Sequence, residues 1–117
     1  MQRSFTIASE TVPEVLDWGR LRWLCNPPST GAKDLTVIDV TLSPGKGHNF
    51  HKHPDQEEVI FVLAGRIEQW IDREKRLLGP GDTAFIPPGV VHASFNVGDG
   101  FEVVDMAGEA PWNSLRS

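Results

Sequence analysis

Histidines and glutamates crowd into residues 48–58, directly before a continuous apolar run. His51 and His53 are two residues apart, so in a strand their side chains point to the same face. A Pro-Asp pair follows and favours a turn, after which Glu58 can fold back beside the two imidazoles. Imidazole nitrogen and carboxylate oxygen are ligands that suit first-row divalent metals. The segment therefore predicts a metal site delivered by a hairpin.

A fourth candidate ligand, His92, lies in the segment PPGVVHASFN, after a proline-glycine turn and near the start of another strand. His92 can reach His51, His53 and Glu58 only if the fold closes and brings the two segments together. No thiolate accompanies the group, which argues against a closed structural zinc site. Four protein ligands on an octahedral ion would leave two positions for water, substrate or oxygen.

The remaining polar residues of the segment are predicted to lie outside the site. His48 is three residues from His51 and so falls on the opposite face of a regular strand. Glu57 points away from Glu58 and is expected to meet solvent or a strand partner. Asp55 is expected to be a turn residue.

Short apolar or alternating runs, each ended by turn residues, predict an all-β domain. The chain has 11 glycines and 9 prolines, mostly at these joints, which favours a sandwich or small barrel. REKR, at 73–76, is expected to be a solvated hairpin turn. The predicted strands are LTVIDVTL (35–42), EVIFVLAG (58–65) leading into RIEQWID, TAFIPPG (83–89), VVHASFNV and, after GDG, FEVVDMAG.

The first 30 residues are predicted to be an N-terminal extension that packs on the barrel or on a partner. FTIA can form a strand, VPEVLDW a short helix with Pro13 in its first turn, RLRWLC a strand and NPPSTG a loop. The tail APWNSLRS is expected to be irregular, with Trp112 as an anchor. No second domain is indicated, so residues 1–117 are interpreted as one domain.

Composition narrows the class of protein and its partners. The net charge is −5 and the basic residues are scattered, so no nucleic-acid-binding face is expected. No apolar run reaches the length of a membrane span, and the N-terminus lacks the pattern of a secretory signal. Cys25 has no intrachain partner and is expected to be a small buried residue. These features predict a cytoplasmic protein.

Two spaced motifs resemble those of the cupins. The first comprises Gly45, His51, His53, Glu58 and Gly65, and the second comprises Gly81, Pro87, Gly89, His92 and Asn96. Together they cover residues 45–65 and 81–96. The resemblance implies a jelly-roll barrel, or double-stranded β-helix, in which His51, His53, Glu58 and His92 bind one divalent ion: Fe, Mn, Ni, Co, Cu or Zn. It also implies a homodimer that pairs through an outer sheet face. Phe61 and Leu63, which lie opposite the ligand face, are expected to pack either between the sheets or against such a partner.

The activity is less closely defined, because function belongs to sites and not to folds. The absence of tyrosine disfavours cupin sugar epimerases and thiol dioxygenases, and a single cupin unit disfavours two-domain oxalate enzymes. The leading hypothesis is a small dioxygenase-like oxidoreductase acting on a small organic metabolite inside the barrel, with Glu58 available as a base. The alternatives are a metal-assisted isomerase or decarboxylase and a non-catalytic metabolite-binding barrel.

Alternate positions counted from Glu58 and His92 predict the lining of the pocket. They are apolar or small and favour a partly apolar or aromatic ligand over a sugar phosphate. The parity of Gln69 and Trp70 stays open, although core packing is favoured for Trp70. Asn96 is interpreted as a structural hydrogen-bonding residue. The predicted lining residues are Ile60, Val62, Ser94 and Asn96.

Overall fold

The computed structural model describes residues 3–108, and it describes side chains for residues 3–97. Antiparallel strands account for most of this part of the chain, which confirms the all-β prediction. The tail carrying Trp112 lies outside the described residues. The strands are β1 (Glu14–Leu16), β2 (Gly19–Cys25), β3 (Leu35–Leu42), β4 (Gly47–His51), β5 (Glu57–Ile71), β6 (Glu74–Leu78), β7 (Thr83–Ile86) and β8 (His92–Gly108), with a one-turn helix α1 (Pro27–Thr30) between β2 and β3.

Two long strands, β5 and β8, connect two sheets of a jelly roll. The first sheet has the order β1-β2-β3-β8-β5-β7 and uses residues 101–108 of β8 and 57–65 of β5. The second sheet has the order β4-β8-β5-β6 and uses residues 92–96 of β8 and 67–71 of β5. The register of β5 shifts around Gly65, whose φ of 81° suits glycine, so the strand bends there from one sheet into the other.

The apolar core lies mainly on the inner face of the first sheet. Strand β3 alternates as predicted, with Thr36, Ile38, Val40 and Leu42 buried. Because inner and outer residues alternate along every strand, the same pattern places Glu58 on the inner face beside this core. The buried cluster comprises Leu21, Ile38, Val40, Leu42, Ile60, Val62, Ile67, Ala84 and Ile86.

The N-terminal residues extend the first sheet beyond β3. The helix predicted at residues 12–18 is wrong: this segment contains β1, whose backbone pairs with β2 in a tight hairpin. Strand β2 pairs in turn with β3, where Arg22 Nη2 lies 2.6 Å from Asp39 Oδ2. Residues 5–7 form no strand and are followed by a 3₁₀ turn at Ala8–Glu10.

Three turns differ from the sequence prediction for local reasons. The predicted loop at 26–31 contains α1, because Asn26 and Ser29 form a reciprocal capping box around Pro27. The hairpin predicted at 73–76 turns earlier, at Asp72 with a φ of 55°, and the next residues belong to β6. The backbone of β8 runs through 98–100 without the predicted break.

The structure also bears on two sequence-based expectations, the lack of a membrane span and the burial of Cys25. Within residues 3–108, no helix is long and apolar enough to cross a membrane. Cys25 is half-buried, not fully buried as predicted, and its Sγ lies 3.2 Å from Thr30 Oγ1.

Candidate metal centre

Three imidazoles converge where the motif segments meet inside the barrel. His51 ends β4, His53 follows in the next turn, and His92 begins β8 directly opposite His51. One ligand nitrogen from each ring can be chosen so that all three lie within 4.8 Å of one another. His53 and His92 are buried, and His51 is half-buried. The three residues are therefore positioned to hold one metal ion.

The carboxylate of Glu58 lies beside two of these rings. Its Oε1 is 3.1 Å from Nε2 of His92 and 3.8 Å from Nε2 of His53. Only 4% of the residue is exposed. A carboxylate oxygen beside imidazole nitrogens is a ligand combination that suits first-row divalent ions. Its role as a ligand and as a catalytic base stays a prediction.

Backbone carbonyls orient two of the three rings. The Nδ1–H group of His51 donates to the carbonyl oxygen of Asn49, and that of His92 donates to Val90 across 3.0 Å. Because a carbonyl only accepts, each ring carries a proton on Nδ1, which leaves Nε2 as the nitrogen that could bind a metal. This is the arrangement that metal-binding histidines use.

The two motif segments are tied together by the backbone as well. The amide of Gly89 donates to the carbonyl oxygen of His53 across 2.8 Å. The Pro-Pro-Gly turn before β8 is thereby fixed against the turn after β4. This contact explains how a histidine nearly forty residues away reaches the hairpin.

Burial keeps the free imidazoles neutral. Desolvation, followed by the charge of His48, lowers the pKa of His51 from 6.5 to about 3, although a hydrogen bond to Asn49 opposes this. Desolvation, followed by the charge of His92, lowers the pKa of His53 to about 4. Neither ring then has to lose a proton before it binds a metal near neutral pH.

The donor set and the fold point to one family, and a comparison with known proteins decides it. Residues 38–105 match the model of the cupin domain. This chain is a cupin. The resemblance inferred from the two motifs is thereby confirmed.

Similar proteins carry several different names. The cupin is 47% identical over 72 residues to quercetin 2,3-dioxygenase of Bacillus subtilis strain 168, an alignment that covers 60% of the chain but 20% of that protein. It is 29% identical to the pectin degradation protein KdgF of Dickeya dadantii, over 88% of the chain and 90% of that protein. The structure of KdgF from Halomonas sp. superposes with a TM-score of 0.85 at 22% identity, covering 97% and 99% of the two chains.

His48 lies on the same side as the metal-site histidines, contrary to prediction. The register between β4 and β8 shifts between His48 and His51, which marks a bulge. One additional residue in the strand reverses the alternation, so the ring of His48 lies 3.9 Å from that of His51, centroid to centroid. A strand-parity argument cannot detect a bulge, and the sequence offers no local signal for this one.

The second sheet adds polar groups to the inner wall of the barrel. Ser94 lies opposite Gln69, which is 3% exposed. The hydroxyl of Ser94 donates to Oε1 of Gln69. Asn96 donates from Nδ2 to the carbonyl oxygen of Leu42 across 2.9 Å, which is a structural contact. Ile60 and Val62 are buried core residues of the facing sheet.

Trp70 does not pack in the core, so that interpretation was wrong. It is half-buried and makes an edge contact with Phe50 at 5.7 Å between ring centroids. Its Nε1–H group donates to Glu68, and the Lys75 ammonium lies 5.4 Å from the ring centroid. Because Gln69 takes the inner position, its neighbour must face outward.

Proposed function

We propose that this cupin holds one divalent transition metal through His51, His53, His92 and Glu58, and that it is a small dioxygenase-like oxidoreductase. The convergence of three imidazoles, two of them held by Nδ1 hydrogen bonds to backbone carbonyl oxygens, carries the proposal. The buried carboxylate beside them completes a donor set of three nitrogens and one oxygen. Such a set accepts several first-row ions, among them Fe, Mn, Ni, Co, Cu and Zn.

A bound ion of this class would supply a Lewis acid and, where it is redox-active, a position for oxygen. The residues of the chain supply the remaining functions. The backbone carbonyls of Asn49 and Val90 hold the histidines in the tautomer that binds. Glu58 is the catalytic candidate, because its buried carboxylate can accept a proton from an acidic hydroxyl of a substrate if it leaves the ion.

The walls of the barrel indicate the kind of molecule that binds there. The first sheet contributes an apolar wall that includes Ile60 and Val62, and the second contributes the Ser94 hydroxyl and the Gln69 amide. The proposed substrate is therefore a small organic metabolite with an apolar or aromatic body and at least one hydroxyl or carbonyl. An enolic or catecholic compound fits this description.

The likeness to quercetin 2,3-dioxygenase supports oxygen chemistry for this chain. The chain spans about a fifth of the length of that relative, so the activity of the whole relative does not transfer directly.

A second candidate is isomerisation or decarboxylation in which the ion acts only as a Lewis acid. The match to the pectin degradation protein KdgF supports it, because that alignment spans most of both chains and the name of this relative refers to the breakdown of a polysaccharide and not to oxygen chemistry. The substrate would then be a small product of polysaccharide breakdown. Glu58 would again be the base, and oxygen would not be consumed.

Metal content and oxygen uptake separate these candidates. We expect anaerobically purified protein to carry about one ion per chain by elemental mass spectrometry, and to consume oxygen with at least one compound of an enolic and catecholic panel. The H51A variant should lose the ion, and retention of stoichiometric metal in H51A would overturn the site. The exposed neighbour variant E57Q should keep it.

Oxygen uptake is the deciding measurement for the reaction class. A metal-loaded protein that consumes no oxygen but converts a sugar-derived acid would favour the second candidate. A protein that binds members of the panel and converts none would be a non-catalytic barrel. The E58Q variant should lose turnover in either enzyme while keeping the fold.

We also propose a cellular location and an oligomeric state for the protein. We place it in the cytoplasm, since Cys25 is a free thiol. We also infer a homodimer that pairs through the outer face of the first sheet. The exposed apolar residues on that face include Leu63 and Phe85.

A further inference from the structure

We propose that Trp18 and His48 form an aromatic stack that holds the ring of His51 in position for metal binding, so that the N-terminal hairpin helps to shape the metal site. This inference rests on the metal site of the proposed function but not on its reaction. Neither Trp18 nor His48 belongs to the two motifs, and both lie outside the predicted ligand set.

The ring contacts are continuous from the hairpin to the ligand: Trp18 and His48 are stacked, and His48 and His51 are tilted by 41° to each other. The rings of Trp18 and His48 lie 5.5 Å apart, centroid to centroid, with an angle of 28° between their planes. The ring of His48 then lies 3.9 Å from that of His51. His51 is therefore held by a ring on one side and by its Nδ1 hydrogen bond on another.

Trp18 is fixed by the fold of the first sheet. It occupies the turn between β1 and β2, where its carbonyl oxygen accepts from the Ser43 amide across 2.9 Å. Its side chain packs against the buried core. The next residue, Gly19, approaches β3 so closely that a Cβ atom would lie 1.9 Å from the carbonyl oxygen of Thr41. The indole is thus a rigid support for whatever packs against it.

His48 reaches this support only because of the bulge in β4. In a regular strand it would face away from His51, and the stack would not exist. The bulge leaves His48 opposite Ser94 while His51 stays opposite His92. Among residues 3–97, whose side chains the structure describes, the group whose ligand atoms lie within 4.8 Å of one another is His51, His53 and His92. This assigns His48 a positioning role and not that of a ligand.

The N-terminal hairpin therefore influences the coordination geometry of a bound ion through the orientation of His51. His51 is the half-buried member of the group, so it has the most freedom to turn. Without the ring of His48, the imidazole of His51 would sample other orientations. A bound ion would then be coordinated in several geometries. Groups that orient a ligand typically change metal affinity by about 10- to 100-fold when they are removed.

Spectroscopy of metal-substituted protein tests this without any turnover. The full chain is loaded with Co²⁺ for affinity by absorption titration, and with Cu²⁺ for electron paramagnetic resonance. H48A and W18L should each weaken Co²⁺ binding by about tenfold and broaden the Cu²⁺ hyperfine lines. H48F and W18F keep a ring at each position and should restore the wild-type spectra.

W23L is the matched control, because Trp23 lies on the same hairpin and packs on the same core. It should lower the melting temperature without changing the metal spectra. Wild-type affinity and line widths in both H48A and W18L would overturn the proposal. H48F behaving like H48A would also overturn it, because the nitrogen and not the ring would then be needed. The absence of Co²⁺ uptake by the wild-type chain would also overturn the proposed support of His51. Co²⁺ binding without oxygen consumption would contradict only the proposed reaction.

Discussion

At the scale of single residues, burial favours the uncharged form of two histidines of the candidate metal site. Burial lowers the pKa of His51 to about 3 and that of His53 to about 4. Burial favours the neutral form of an imidazole, because the protein interior solvates the cation poorly. The folded protein therefore resists protonation at two positions that accept protons freely once the chain unfolds.

This difference predicts how the stability of the metal-free protein depends on pH. Both folded pKa values lie below the unfolded value of 6.5, so the unfolded state binds more protons as the pH falls below 6.5. The contribution to stability is complete above pH 6.5 and is lost towards about pH 3. H51Q should reduce the slope of unfolding free energy against pH near pH 5 by about 1.4 kcal/mol per pH unit.

Urea unfolding of the chelator-treated protein at several pH values measures that slope. E57Q changes an exposed side chain next to the site and should keep the wild-type slope. Equal slopes in wild type and H51Q would show that His51 is protonated in the folded state near pH 5.

At the scale of elements, the short strand β4 determines where two histidines point. Its start is held against β8 by a close approach at Gly47, where a Cβ atom would lie 2.1 Å from the carbonyl oxygen of Ser94 and 2.7 Å from Cα of Phe95. Only a residue without a side chain allows this spacing. The bulge and the metal-site residue His51 follow within four residues.

G47A should therefore push β4 away from β8. We expect a loss of about 1–3 kcal/mol in the free energy of unfolding, typical of overpacking, together with weaker metal binding. Urea denaturation and Co²⁺ titration measure the two effects. G79A is the control, since the added Cβ would lie 4.0 Å from Asp82 Oδ2, an ordinary contact. Wild-type stability in G47A would mean that β4 does not need this close approach.

At the scale of the whole molecule, the outer face of the first sheet carries exposed apolar side chains. Leu63 is 45% exposed and Phe85 is 52% exposed, with half-buried Val59 paired to Phe85 across the sheet. A second copy of the chain on this face would remove these surfaces from water. This is the physical basis for the proposed homodimer.

F85E should convert the dimer into a monomer, because two carboxylates would then be buried at the interface. Light scattering coupled to size-exclusion chromatography measures the mass. F50E is the matched control: Phe50 is 49% exposed, but it lies on the second sheet. A wild-type monomer at high concentration, or a dimer that survives F85E, would contradict the proposed interface.

Local patterns in the sequence determined most of the strands and the choice of metal-site residues. The alternation in residues 35–42 predicted β3 at its observed bounds, because burial on one face alone produces that pattern. The spacing of His51, His53 and Glu58 is also local, and so is the turn between them. By contrast, the segment at 12–18 reads as helix or strand, and only pairing with β2 made it a strand.

Tertiary structure decided what depends on contacts between distant segments. His92 joins the site because β8 pairs with β4 and because Gly89 bonds to His53. The bulge in β4 turned His48 towards His51, and the register of β5 gave the inner wall Gln69 and not Trp70. A one-residue shift of register exchanges the two faces of a strand without altering its composition. Residue types and spacing therefore determined which groups are the candidate metal ligands, while strand register determined which other groups surround them.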